Sequence, residues 1–215
     1  MENKNSLFKY INILFKDPTA RVPWLMLGGA MMNLMYIASN AASAILYHSL
    51  WATTLTAYHL VLMVIRLYLL FQSRINSGDR ATHRICLRVG ILLLALDVAS
   101  AVMMFYSVSR QSFASYSGFI LLGFLCFTVY SVARSVIDIK KHREGENRLY
   151  FAARNISLST SLMSVFNLQY SVFSLLGAEF LLTGRVVTLS GVVVFSVILI
   201  LSLRLIKIGH QGGKI

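Results

Sequence analysis

Charged residues divide the chain into long stretches that carry no charge, at 22–65, 67–73, 89–96, 98–109, 111–133, 155–178 and 186–203. A helix needs roughly 20 apolar residues to cross the hydrocarbon of a bilayer. With Arg66 and Asp97 carried inside a span, the pattern predicts six membrane helices, near 24–46, 51–72, 88–108, 116–137, 152–176 and 186–207. The 22–65 run is too long for one span, and "YHSLW" at 47–51 is the polar and aromatic break within it. The first 23 residues follow another pattern. In "SLFKYINILF", Leu7, Phe8, Ile11, Leu14 and Phe15 share one helical face with Lys4, Lys9 and Lys16 elsewhere, until Asp17 and Pro18 end it. That predicts an amphipathic helix along the inner leaflet. The basic leader is long for a signal peptide cleaved after "ASA" at 42–44, so the first span is read as retained. The expected fold is all-α: a polytopic bundle of six transmembrane helices with an N-terminal interfacial helix, one integral membrane domain over 1–215.

Composition agrees, because 57% hydrophobic and 13% charged residues with a mean hydropathy of +0.68 lie far from a soluble domain. The net charge of +12 raises the question of nucleic acid. Its distribution answers it. With a cytoplasmic N-terminus, 18 of the 20 Lys and Arg residues fall in inside segments, leaving only Arg110 and Arg185 outside. Short loops with that bias follow the positive-inside rule, giving N-in and C-in termini and no nucleic-acid partner. The basic loops 73–84 and 138–154 are suited to anionic lipid at the cytoplasmic face. Aromatic residues flank the spans, with Trp24 and Tyr150 at the inner interface and Tyr47, Trp51, Tyr106 and Tyr116 at the outer one.

Catalytic chemistry finds little support. There is no phosphate-binding loop, no HExxH, no closely spaced acid pair and no Ser or Cys beside a plausible base. Cys86 and Cys126 are single and suggest neither a metal cluster nor a disulfide framework. Asn155-Ile156-Ser157 matches a glycosylation acceptor by chance, on the cytoplasmic boundary. No catalytic residue, metal or cofactor is assigned, and an active site built from hydroxyls and amides has nothing specific in its favour.

The spans do carry polar residues at helical spacing. Ser157, Thr160, Ser161, Ser164, Asn167, Ser171 and Ser174 form a stripe on span five, and Asn33, Tyr36, Asn40, Ser43 and Tyr47 one on span one. Span two adds Thr56, His59, Met63 and Arg66. Membrane helices often associate through hydroxyl residues alone, at well under about 1 kcal/mol per hydrogen bond, so serines by themselves speak for packing. The asparagines and tyrosines of span one present several donors and acceptors that need partners, which helix packing and a polar site could supply equally.

"AILYHSLW" (44–51), "VLMVIRLYLL" (61–70) and "SLMSVFNLQYSVFSLLG" (161–177) resemble stretches of a family of uncharacterised six-span membrane proteins of Gram-positive bacteria. The resemblance is diffuse over most of the chain; it implies a bacterial plasma membrane and no activity. In length, span count and termini the chain is also similar to the substrate-capture subunits of energy-coupling-factor vitamin transporters. It departs from them in lacking a diagnostic motif, since the small pair Ala38 and Ala42 lies at the outer end of span one, away from a cytoplasmic coupling surface.

Two functions of different classes fit these features. One is small-solute or ion binding and transport through a polar intramembrane site between spans one, two, three and five, using Asp97, His59, Arg66, Asn33, Asn40 and Asn167. The other is a non-catalytic accessory or scaffolding subunit whose stripes bind the helices of another membrane subunit. Asp97 is the sharpest feature, since a charged, unpaired carboxylate at the bilayer centre costs roughly 3 kcal/mol or more. A rise of about 1.5 Å per residue sets Asp97 near the midplane, His59 about 3 Å outward and Arg66 roughly 7 Å inward. Asp97 is therefore expected to face span two and be held by His59, Arg66 or both. The alternative for Arg66 is to snorkel toward the headgroups.

Overall fold

The computed structural model describes residues 18–75, 79–110, 118–141, 148–176 and 180–211, and these form six helices. In chain order they are α1 (Pro18–Tyr47), α2 (Leu50–Ile75), α3 (Asp79–Ser109), α4 (Gly118–Lys141), α5 (Arg148–Leu176) and α6 (Phe180–Gln211). Each contains or nearly contains one expected span. The stretches Leu50–Gln72, Ala81–Ser109 and Gly184–Gln211 are long and apolar enough to cross a membrane, and Leu121–Ile137 is a shorter apolar segment. The chain is thus an all-helical protein with membrane-spanning character.

The interfacial helix expected over 1–23 lies mostly outside the described residues. Where it overlaps them, Pro18 is the first described residue and the first of α1. Proline suits a first helical position, where its missing N–H would have had no intrahelical acceptor. The break at 47–51 is as tight as a helical hairpin allows. Only His48 and Ser49 separate α1 from α2. His48 takes the left-handed conformation (φ 48°) that turns the chain out of α1. Ser49 then caps α2, its Oγ accepting from the backbone N of Ala52 at 3.3 Å.

Packing is built from pairs. α3 and α6 run antiparallel along most of their length over glycines. A Cβ on Gly90 would come within 2.9 Å of the backbone N of Ile206, and one on Gly209 within 2.6 Å of the backbone N of Leu87. Gly191 faces Met104 and Gly184 faces Val108, continuing the ladder. Small residues at these positions let two backbones approach closely, which is how helices associate without a hydrophobic driving force. His83 Nδ1 adds a 2.8 Å hydrogen bond to the carbonyl of Ile208 at one end of the pair. α1 and α2 form the second pair and α4 and α5 the third, the last tied by Ser161, whose Oγ lies 2.7 Å from both Ser131 Oγ and Ser135 Oγ.

α5 is the hub and touches every other helix. Of its described side chains only those of Arg148, Val165 and Leu175 are exposed. Several of its hydroxyls bond back to the helix itself, Ser159 to the Asn155 carbonyl and Ser171 to that of Asn167. Meanwhile the outer surfaces of the other helices are apolar, with Leu60, Val64 and Phe71 on α2 and Leu189, Val193 and Ile200 on α6 all exposed. Large apolar side chains outside and polar ones inside is the arrangement a lipid environment favours. Two aromatic assignments change. Trp51 is fully buried, its ring centroid 5.7 Å from that of Phe166 and 5.3 Å from that of Tyr170, and Tyr150 is buried as well. Neither faces a headgroup layer, while Tyr47 and Tyr106 are exposed.

Candidate functional site

All six sequence-derived site residues are buried: Asn33 and Asn40 on α1, His59 and Arg66 on α2, Asp97 on α3 and Asn167 on α5. They divide into two groups by what their polar atoms do. Asn40 is engaged locally, its Nδ2 donating to the Tyr36 carbonyl one turn back at 2.9 Å. Arg66 is engaged across the bundle. Its Nη1 donates to Ser157 Oγ at 3.2 Å and its Nη2 to Thr160 Oγ1 at 3.1 Å, both on α5. The guanidinium lies on the backbone of α1, occupying the space that a Cβ on Gly29 would fill.

The other four keep polar atoms that none of the described residues satisfies. Among the described residues, both side-chain atoms of Asn33 and of Asn167, both ring nitrogens of His59, and Asp97 Oδ1 have no hydrogen-bond partner. The expected pairing of Asp97 with His59 is therefore not made. Nor does Asp97 Oδ1 accept from Arg66, which donates to hydroxyls of α5. Tyr58 on α2 lies within electrostatic reach of both Asp97 and Arg66. The directions are not those expected. Arg66 points toward α1 and α5, and His59 is held in another way.

That holder is Tyr36, a residue in the span-one stripe but outside the candidate set. Its ring stacks on His59 with centroids 4.5 Å apart and planes 7° from parallel, and on its other side approaches Phe124 of α4 at 5.9 Å. Its hydroxyl lies 3.2 Å from Thr128 Oγ1 of α4. Tyr36 thereby fixes the imidazole by its face and leaves both ring nitrogens available. The spacing from Tyr36 to His59 across the short hairpin, each twelve or eleven residues from the Tyr47–Ser49 break, was the signal that could have found this pair.

Four further buried groups extend the set: Tyr58 Oη, Trp51 Nε1, Ser43 Oγ and Ser107 Oγ are also without partners among the described residues. The stack places Tyr36 and His59 at one level, and Asn33 lies one turn from Tyr36 toward the Pro18 end. Trp51 lies eight residues from His59 toward the hairpin, level with Phe166 and hence with Asn167. At 1.5 Å per residue these groups span about 16 Å along the bundle. Amides, imidazole, phenol, indole and carboxyl together supply both donors and acceptors. Among the described residues no group of three or more His, Cys, Asp or Glu side chains is placed to hold a metal ion.

No protein-family model, curated protein or solved structure matches the chain.

Proposed function

We propose that the protein is a six-span plasma-membrane protein of the bacterial family it resembles, which binds a small polar solute or ion within the membrane and conducts it along the bundle. The observation that carries this reading is the column of buried polar atoms without protein partners from Asn33 through His59, Tyr58 and Asp97 to Asn167 and Trp51. Leaving a buried donor or acceptor unsatisfied costs about 1–3 kcal/mol each, so such a column is expensive unless something passing through it completes the hydrogen bonds. Its spread along the bundle suits successive sites better than one deep pocket. The accessory-subunit reading is weaker here, because the polar stripes are buried within the chain and a partner's helices would not reach them.

Replacing Asn167 by Leu, which is close in volume, removes two unsatisfied atoms together with any solute contact. The full chain in lipid nanodiscs is screened by thermal unfolding against sodium, potassium and chloride salts, amino acids, nucleosides and water-soluble vitamins. At least one should stabilise the wild type and not Asn167→Leu, while the variant unfolds at the same or a higher temperature without solute. If no solute stabilises the wild type, or Asn167→Leu responds as the wild type does, the column serves no solute.

A further inference from the structure

The α1–α2 hairpin brings several groups of the column to one level. Tyr36 stacks on His59, and Arg66 covers Gly29. Gly29 lies seven residues from Tyr36 toward the Pro18 end of α1, and Arg66 lies seven residues beyond His59 on α2, so the two helices keep one register over that stretch, about 10 Å at 1.5 Å per residue. Asn33 falls inside it, one turn from Gly29 and one from Tyr36 on the face that both turn to α2. Its amide is fully buried, with both atoms unpartnered, at a level between the imidazole and the guanidinium. Tyr58 and Asp97 add another side. The Tyr58 ring stands edge-on to His59, with centroids 5.5 Å apart and planes 82° apart, and lies within electrostatic reach of Asp97 on α3. Tyr58 Oη, both imidazole nitrogens and Asp97 Oδ1 are buried and without hydrogen-bond partners among the described residues. Arg66, donating to Ser157 and Thr160, closes the Pro18 side and lends no group to the set.

The chemistry that would complete this set is narrow. A carboxylate inside a membrane calls for a positive charge or a proton. A proton on Asp97 would leave the phenol, the imidazole and the amide as they are. A monatomic cation takes acceptors alone, so Asn33 Nδ2 and the N–H of a neutral His59 would stay unpaired. An ammonium group donates up to three hydrogen bonds, and an oxygen carried beside it accepts the remaining donors.

We propose that Asp97, Tyr58, His59 and Asn33 bind an organic ammonium that carries a hydroxyl or carbonyl oxygen, with its charged nitrogen at Asp97 and Tyr58 and its oxygen between His59 and Asn33. This rests on reading the column as a solute path and names the class of solute. Asn33 lies on the Arg66 side of His59, so the oxygen end faces the guanidinium and keeps the two like charges apart.

The test titrates the full chain in nanodiscs, at neutral pH and constant ionic strength, with ethanolamine and glycinamide. Ethylene glycol and glycolamide, which hold a hydroxyl in place of the ammonium, are the uncharged counterparts, and sodium and potassium chloride supply monatomic cations. Thermal unfolding gives the response and its concentration dependence the affinity. At least one ammonium compound should stabilise the wild type, with its counterpart and both salts at least tenfold weaker. Asp97→Asn, which keeps the shape and removes the charge, should weaken that response tenfold or more. Tyr58→Phe should weaken it about tenfold, as the loss of one hydrogen bond to a charged group does, and serves in place of Asp97→Asn should that variant fail to fold. The exposed Arg84→Gln on α3 should respond as the wild type does. The proposal is overturned if neither ammonium compound stabilises the wild type, if the counterparts or the salts act equally well, if Asp97→Asn and Tyr58→Phe respond as the wild type does, or if Arg84→Gln loses the response equally. Should another solute of the wider screen stabilise the wild type while these two do not, the ammonium site falls and the column stands; if no solute does, both fall.

Discussion

The guanidinium of Arg66 depends on a missing side chain. A methyl at Gly29 would occupy the position of the guanidinium itself, and Arg66 is held on its other side by Ser157 and Thr160, so it has nowhere equivalent to go. Gly29→Ala should therefore destabilise the fold by about 1–3 kcal/mol, the range for overpacking a filled interior. Gly28→Ala should cost much less, because the guanidinium that covers it belongs to Arg134, which is partly exposed and whose far end can swing away. Thermal unfolding followed by circular dichroism in one detergent compares the two; equal losses would mean that Arg66 is not locked. Sequence spacing supplied an expected depth for Arg66 and Asp97. It could not supply azimuth, because which way a side chain points around its helix is set by the partner helix. Two neutral hydroxyls on α5, ninety residues away in the chain, outcompeted the single acid for the arginine.

At the scale of the helices, the six elements were legible because charge punctuates the chain at membrane-like intervals and "YHSLW" carries both a turn residue and a cap. Their pairing was not. α3 and α6 meet through Gly90, Gly191 and Gly209, and a glycine in an apolar run reads the same whether it touches lipid or another backbone. Trp51 was misplaced for a similar reason, since an aromatic residue at a helix end suits an interface as well as it suits the Phe166–Tyr170 cluster that buries it. The ladder makes a graded prediction. Gly90→Ala and Gly209→Ala bring a methyl against backbone atoms, which cannot rotate away, and should each lower the unfolding temperature markedly, whereas Gly123→Ala on α4 meets nothing within 4 Å and should be neutral or slightly stabilising. A Gly209→Ala protein that unfolds with Gly123→Ala would show that the two helices do not approach so closely.

For the whole molecule, the proposed orientation follows from the 18-to-2 division of basic residues and is open to direct measurement. With Cys86 and Cys126 replaced, single cysteines at the exposed positions His48 and Arg110 should react with a membrane-impermeant thiol reagent added outside intact cells, and ones at Lys207 and Gln211 only after permeabilisation. The reverse pattern would invert the molecule.

The central position of α5 also bears on how the protein is made. Its polar residues are tolerable only because five neighbours shield them, and among the described residues it is not one of the helices apolar enough to enter a bilayer on its own. In the proposed six-span layout, and with α6 still unmade, α5 would leave the translocon as a poor lipid solute bearing Asn155, Thr160 and Asn167. Partitioning must then be cooperative: α5 enters against the Ser131 and Ser135 face of α4 that precedes it, and stays only when α6 closes over Phe166. A ribosome stalled before α6 would leave a chain whose fifth segment is still exchanging between the membrane and the cytosol, within reach of quality-control proteases.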